Sequence, residues 1–468
     1  MVFADLTFLY LFLPLNLLLY FAVKNNVWRN TVLTVFSLVF YAWGEPVWIV
    51  LLIFSATIDY FHGLGIAKFP GGRVPKLMVI SSLVLNLGLL GVFKYSGFLV
   101  GSFNAVTGLA VPVPGFSLPI GISFYTFQTI SYVIDVYRGE VPAQRSYGKF
   151  LMYVSMYPQL VAGPIVRYQT IMDEIDSRVI TAGSFSAGIS RFCIGLLKKV
   201  FVANHAGKLA AVYLDGDLAA LSTPEGWFGI ILFTLQIYYD FSGYSDMAIG
   251  LGRMFGFSYP ENFNYPYIAR SAGEFWRRWH MTLGTFFRDY VYIPMGGNRS
   301  HVVRNLLVVW FLTGLWHGAS WNFILWGLFY GVLLLLERLC LAKTLCRVPV
   351  LNHLYALFCV VVGWGIFYFT DLGRLRRFMA VLFGAGGAGI APGMLGVTVL
   401  NNLFWLLAAA VFCMPVLPRL QGWLAPRLGP GAAAAAGWAG VAVNLCILGL
   451  CTALLVGQSY NPFLYFRF

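Results

Sequence analysis

Charge is scarce in this chain of 468 residues: Asp, Glu, Lys and Arg make up 10% of it and hydrophobic residues 59%. Soluble domains carry roughly a quarter charged residues, so an ordinary water-soluble globule is excluded. Several motifs of phosphate and metal chemistry are also missing. There is no GxxxxGKS/T loop, which argues against ATP-driven work by this chain, and no HExxH helix for zinc. No GxSxG elbow occurs, and no histidine is followed five residues later by an acid. The cysteines (Cys193, Cys340, Cys346, Cys359, Cys413, Cys446, Cys451) form no CxxC pair and mostly lie in apolar stretches. They read as small buried hydrophobes, neither disulfide partners nor metal ligands. The opening "MVFADLTFLYLFLPLNLLLYFAVK" lacks a basic n-region and a small-residue cleavage site, so it reads as a retained first span.

What the chain has instead is apolar runs, many near the roughly 18 or more residues that a helix needs to cross a bilayer. They fall near 5–22, 30–44, 47–65, 78–97, 118–136, 150–166, 185–204, 225–255, 305–336, 352–370, 378–394, 398–417 and 433–457. A bilayer leaves helices or closed barrels as spanning elements, and these runs do not alternate as barrel strands do. The fold class is therefore an all-α polytopic membrane protein with about eleven to thirteen membrane segments. The net charge of +13 sits in short loops, which suits anionic headgroups and cytoplasmic loops and gives no reason to invoke nucleic acid. Lys24 and Arg29 follow the first run, and Lys68, Arg73 and Lys76 the third, which places both loops in the cytoplasm and the N-terminus outside. Arg419 and Arg427 precede the last run and predict an outside C-terminal tail. The loops 337–351 and 371–377 are both basic, and the rule does not settle that pair.

The whole chain reads as one integral membrane domain. Residues 1–255 supply N-terminal helices, 256–340 a polar-aromatic core, 341–457 C-terminal helices and 458–468 an aromatic tail. The core holds the exceptions to simple spans. From Asn305 to Leu336 no acidic or basic side chain occurs except His317. As one helix this run would reach roughly 48 Å, well beyond a hydrocarbon core of about 30 Å. It should tilt strongly, kink or break, most readily at Gly314, Gly318 or Ser320. His317 then lies at a discontinuity, as a proton acceptor or as a hydrogen-bonded brace. His280, in "EFWRRWHMTL", is the second candidate. Trp276, His280, Leu283 and Phe287 share one helical face, Glu274 can pair with Arg277 or Arg278, and 271–290 reads as one or two helices that are interfacial or re-entrant. Its plainer reading is an amphipathic anchor. Asp240, Ser242 and Asp246 sit in an apolar context; six positions rotate by about 240°, so the carboxylates do not share a face. They line a polar cavity or balance Arg277, Arg278 and Arg288. "YPQLVAGPIVRY" is a kinked span or a re-entrant turn, and His62, His205, His301 and His353 read as surface or interfacial residues.

Seven stretches in order carry a resemblance: "FYTFQTISYVIDVYRG", "LVAGPIVRY", "YYDFSGYSDMAIGLGRMFG", "PENFNYPY", "FWRRWHMTL", "YIPMGGNR" and "GLWHGASWNFILWG". Together they resemble the membrane-bound O-acyltransferase family, in its bacterial branch that acetylates exported polysaccharides such as alginate and is related to teichoic-acid D-alanyl transfer proteins. The resemblance implies a ring of helices around a thinned centre, with His317 and His280 as the catalytic histidines. Asp240, Ser242, Asp246, Trp276, Arg277, Arg278, Trp316 and Asn322 are the residues expected to line the funnel or cavity. It implies a thioester donor, acetyl-CoA or an acyl carrier protein, no bound cofactor or metal, the bacterial cytoplasmic membrane, and an extracytoplasmic acetyltransferase partner. In the tail "GQSYNPFLYFRF", Tyr465 is implied as an acyl relay, against the plainer reading of an aromatic anchor at the headgroups. The competing class is a proton-coupled transporter that uses His317 and the intramembrane aspartates.

Overall fold

In lipid an apolar run satisfies its backbone within itself only as a helix, and helices dominate the computed structural model. It describes residues 1–341, 349–427, 430–457 and 463–464, with no strand among them. Among the described residues, five stretches are long and apolar enough to cross a bilayer: Ile49–Lys68, Val74–Thr107, Trp321–Cys340, Pro349–Tyr368 and Ala435–Leu455. The bent pair Met394–Asn401 and Leu403–Phe412, which meets at 63°, makes a sixth. Other apolar runs are carried by shorter helices such as Phe8–Ala22 and Val302–His317. The chain is a multi-pass helical membrane protein whose expected eleven to thirteen segments are not a count of full-length spans.

The described residues form two compact units. The first comprises Met1–Phe192, Tyr244–Pro260 and the described residues from Leu455 onward. In it Ile49–Lys68 (α1), Val74–Leu90 (α2) and Ile122–Arg138 (α3) pack on one another. His62, expected to be a surface or interfacial residue, is buried at 7% exposure on α1. The physical reason is a polar partner set that helical spacing brings to one seam: Asp59, three residues earlier, together with Ser81 and Asn86 on α2. The stretch around Pro158 folds as one helical turn, Tyr157–Leu160, followed by a buried turn, so the helix is interrupted there. A Cβ at Gly163 would lie 2.7 Å from Gln159 Cα, a contact that only glycine avoids.

Two helices, Ala182–Leu197 (α4) and Thr223–Phe255 (α5), contribute to both units. The second unit, Cys193–Gly243 with Glu261–Leu454, contains the motif-rich core. Its elements there are Ala272–Arg278 (α6), Met281–Phe287 (α7), Val302–His317 (α8), Trp321–Leu336 (α9) and Pro349–Tyr368 (α10). The run from Asn305 to Leu336 does break where glycine and serine stand. α8 ends at His317, Gly318 is extended at φ −173°, Ser320 is extended at φ −155°, and α9 folds back along α8. The two helices touch backbone to backbone. A Cβ at Gly314 would lie 2.3 Å from Phe323 O, and one at Gly327 would lie 2.3 Å from Trp310 O. Lipid supplies no hydrophobic drive for helices to associate, so small residues that admit such contacts hold a hairpin together.

Candidate active site

The glycines on either side of His317 are explained by this hairpin. Gly314 admits the α9 backbone, and a Cβ at Gly318 would lie 2.3 Å from the Phe323 ring. The imidazole between them is 7% exposed. It packs edge to face on Trp326 (4.9 Å between centroids), on Phe367 (5.3 Å) and on its neighbour Trp316 (4.9 Å). Asn322, fully buried at the start of α9, donates from Nδ2 to Phe367 O at 3.0 Å and to Ile366 O at 3.3 Å. That ties the hairpin to the end of α10 and holds the Phe367 ring against His317.

His280 stands at the break between α6 and α7, in the left-handed region at φ 45°. For a residue with a Cβ this costs roughly 1–2 kcal/mol, and the neighbouring strap 262–264 holds it there. Met281 N–H donates to Asn262 O at 2.9 Å, and Asn264 N–H donates to Arg278 O at 2.9 Å, one bond on each side of the break. The Asn262 side chain settles the chemistry of the ring. Its Oδ1 accepts from the Thr282 backbone N–H at 3.2 Å and from Thr282 Oγ1 at 2.9 Å. A backbone N–H only donates, so the amide oxygen must face it, and the same oxygen lies 3.1 Å from His280 Nδ1. Nδ1 therefore carries the proton and Nε2 a lone pair. Nε2 is buried, with no hydrogen-bond partner among the described residues. Burial pushes the imidazole down from 6.5 to about 3, so the ring is neutral at physiological pH.

The two histidines meet at one indole, since the His280 ring lies 5.7 Å from Trp316. The face expected from helical spacing is realised despite the break: Trp276, His280, Leu283 and Phe287 all line a cavity of about 300 Å³. Trp279, Leu306, Val309 and Trp310 add to its apolar wall, and exposed Arg288, Asn298 and Arg338 form its rim. On that rim Arg338 and the Tyr292 hydroxyl both donate to Asn298 Oδ1, each at 2.8 Å.

The remaining expected residues have identifiable partners. Arg278 pairs with Glu274 at 2.9 Å, as helical spacing suggested, while Arg277 is exposed. Asp240, Ser242 and Asp246 are all buried. The balancing role expected toward Arg277, Arg278 and Arg288 gives way to other pairs: Asp240 with Lys199 at 2.5 Å and Asp246 with Arg191 at 2.6 Å. Arg288 takes Asp289 at 2.6 Å. Both aspartates point from α5 toward cations of α4 and of the π-helical segment Lys198–Ala203 that continues it, which no periodicity in the sequence reports. Tyr465 lies outside the described residues. Among those described, no group of three His, Cys, Asp or Glu side chains could hold a metal ion. Asn262 and Thr282 were missed by sequence reasoning. Asn262 stands in a quoted motif, but its partner is 18 residues away across an irregular strap, beyond the reach of spacing rules.

Comparisons with known proteins place the chain in a family. Residues 140–372 match the membrane-bound O-acyltransferase family. The chain is 43% identical to a probable alginate O-acetylase of Azotobacter vinelandii, over 82% of this chain and 79% of that protein. It is 38% identical to a probable alginate O-acetylase of Pseudomonas putida over 100% of both chains. A peptidoglycan O-acetyltransferase of Helicobacter pylori is 36% identical over 71% of this chain and 69% of its own. End-to-end similarity at such identities, with both motif histidines gathered on Trp316, makes the chain a member of the membrane-bound O-acyltransferase family.

Proposed function

We propose that this O-acyltransferase moves an acetyl group from a cytoplasmic thioester, acetyl-CoA or an acyl carrier protein, to hydroxyls of an exported polysaccharide. The observation that carries the reading is the convergence of His317 and His280 on Trp316 in a buried, aromatic environment. His317 acts as the general base, taking the proton of the attacking hydroxyl; such a base contributes about 10²–10⁴-fold. His280, with a lone pair on Nε2, accepts a hydrogen bond and orients the acceptor hydroxyl. Stabilising an oxyanion needs an N–H there, and the Asn262 bond puts that proton on Nδ1 instead. Arg338 on the rim of the cavity suits an anionic reactant, whereas the charge of Arg288 is met by Asp289. The relatives' names motivate a polysaccharide acceptor, and the bacterial inner membrane, an outward-facing tail with Tyr465 as relay, and an extracytoplasmic acetyltransferase partner belong to the same reading.

The test is consumption of radiolabelled acetyl donors, coenzyme A-bound and carrier-bound, by protein in nanodiscs. Wild type should cleave the thioester, and His317→Ala should lose about 10²-fold or more. A folded His317→Ala protein that cleaves at the wild-type rate would overturn the assignment of the base.

A further inference from the structure

A second histidine-centred array lies in the first unit, on two helices apolar enough to span the membrane, and the acyl-transfer site does not use it. Asp59 is fully buried on α1. Asn86 Nδ2 faces two acceptors, Asp59 Oδ2 at 2.8 Å and Ser82 O at 3.0 Å, which fixes the amide as donor. With Oδ2 so filled, Asp59 Oδ1 accepts from His62 Nδ1–H at 3.0 Å. A histidine that donates from Nδ1 presents a lone pair at Nε2, and that nitrogen lies 3.1 Å from Ser81 Oγ. The Ser81 hydroxyl thus donates to a base that a buried acid orients from behind. Ser81 is only half-buried, whereas Asp59 is inaccessible. A buried carboxylate in a spanning helix is costly, and a simple packing seam needs none of these four polar residues. The chemical order, acid to imidazole to hydroxyl, is the one that activates a serine for acyl transfer.

We propose that Ser81 is an activated nucleophile that accepts an acyl group. In the step, an Oγ–C bond forms at the carbonyl of an acyl thioester and the C–S bond breaks. The hydroxyl proton passes to His62 Nε2 and from there to the departing thiolate. The acyl-serine is discharged by an acceptor hydroxyl, whose proton His62 takes and returns to Ser81. The thioester as acyl source rests on the function proposed above; the activation of Ser81 does not.

A fluorophosphonate probe tests the activation without any donor, because an activated serine displaces fluoride and retains the phosphonyl group. Protein in nanodiscs is treated with the probe, digested and mapped by mass spectrometry, in wild type, Ser81→Ala, His62→Gln, Asp59→Asn and His317→Ala, with thermal unfolding as the control for folding. The expected result is a label on Ser81, absent in Ser81→Ala, reduced about tenfold or more in folded His62→Gln, and retained in His317→Ala. A folded wild type unlabelled at Ser81, or labelling undiminished in folded His62→Gln, overturns the proposal. A parallel incubation with radiolabelled acetyl donor should leave acetyl on Ser81. Phosphonylation of Ser81 with no acetyl there, while thioester is consumed in a His317-dependent manner, would remove the acyl-acceptor role and leave the main site standing. Loss of His317 dependence with Ser81 still labelled would do the reverse.

Discussion

Replacing Asn262 by leucine should disable the enzyme through a proton on the wrong nitrogen. Leucine is close in size but offers no acceptor. Three donors lose their partner together: His280 Nδ1–H, Thr282 Oγ1–H and the Thr282 backbone N–H. A buried N–H left unsatisfied costs about 1–3 kcal/mol and each neutral bond lost about 1 kcal/mol, so the stability loss is on the order of 3 kcal/mol. The catalytic loss is separate. Without Oδ1, nothing holds the His280 proton on Nδ1, and Nε2 ceases to be a dedicated acceptor for the substrate hydroxyl. Acetyl transfer should fall about 10²-fold or more. Asn262→Asp is the informative contrast, because a carboxylate keeps the acceptor in place and holds the same tautomer. It should retain kcat within about tenfold, and the added negative charge should favour the imidazolium and move the acidic limb of the pH–rate profile upward. The assay is kcat and KM from pH 5 to 8 (roughly the range in which histidine titrates), with the unfolding temperature measured alongside. If Asn262→Leu keeps the wild-type kcat while losing stability, the tautomer argument is wrong and Asn262 is only a packing residue.

Three further outcomes follow from the same contacts. The folded protein holds the His280 imidazole at about 3 against an ordinary 6.5, so between those values the unfolded chain binds a proton that the folded chain refuses. Stability should therefore fall as pH drops through that window, by up to about 1.4 kcal/mol per pH unit; the unfolding temperature of His280→Asn should decline less steeply with acid, and identical slopes would remove His280 as the cause. Gly314→Ala sets a Cβ 2.3 Å from Phe323 O and should cost about 1–3 kcal/mol or more together with activity. Gly101→Ala, in the open helix Ser96–Thr107 where nothing lies within 4 Å, should be neutral or stabilising by about 0.4–1 kcal/mol; equal unfolding temperatures for the two variants would refute the hairpin packing. Lys199→Met leaves Asp240 buried without its ammonium and should destabilise by about 3–5 kcal/mol, most of it recovered when Asp240→Leu is added. A double variant no more stable than the single one would count against the pair.

Composition and periodicity determined a good deal of this protein. Scarce charge and long apolar runs required a helical membrane protein, because a backbone in lipid must satisfy itself. The length of the run from Asn305 to Leu336 required a tilt, a kink or a break, and Gly314, Gly318 and Ser320 marked where the chain would give, beside His317. The spacing of Trp276, His280, Leu283 and Phe287 marked one face, and that face lines a cavity. These properties are local: each depends on residues within a few turns of one another. Tertiary structure decided the rest. It turned the break into a hairpin, because Gly314 and Gly327 admit backbone contact across two helices. It brought His280, 37 positions before His317 in the chain, onto the same indole. It also gave His280 its tautomer through Asn262, matched Asp240 to Lys199 and Asp246 to Arg191, and buried His62 against Asp59 and Ser81. Burial tendency is written in each residue's own chemistry, whereas a hydrogen-bond partner is chosen by whichever distant segment packing brings within about 3 Å.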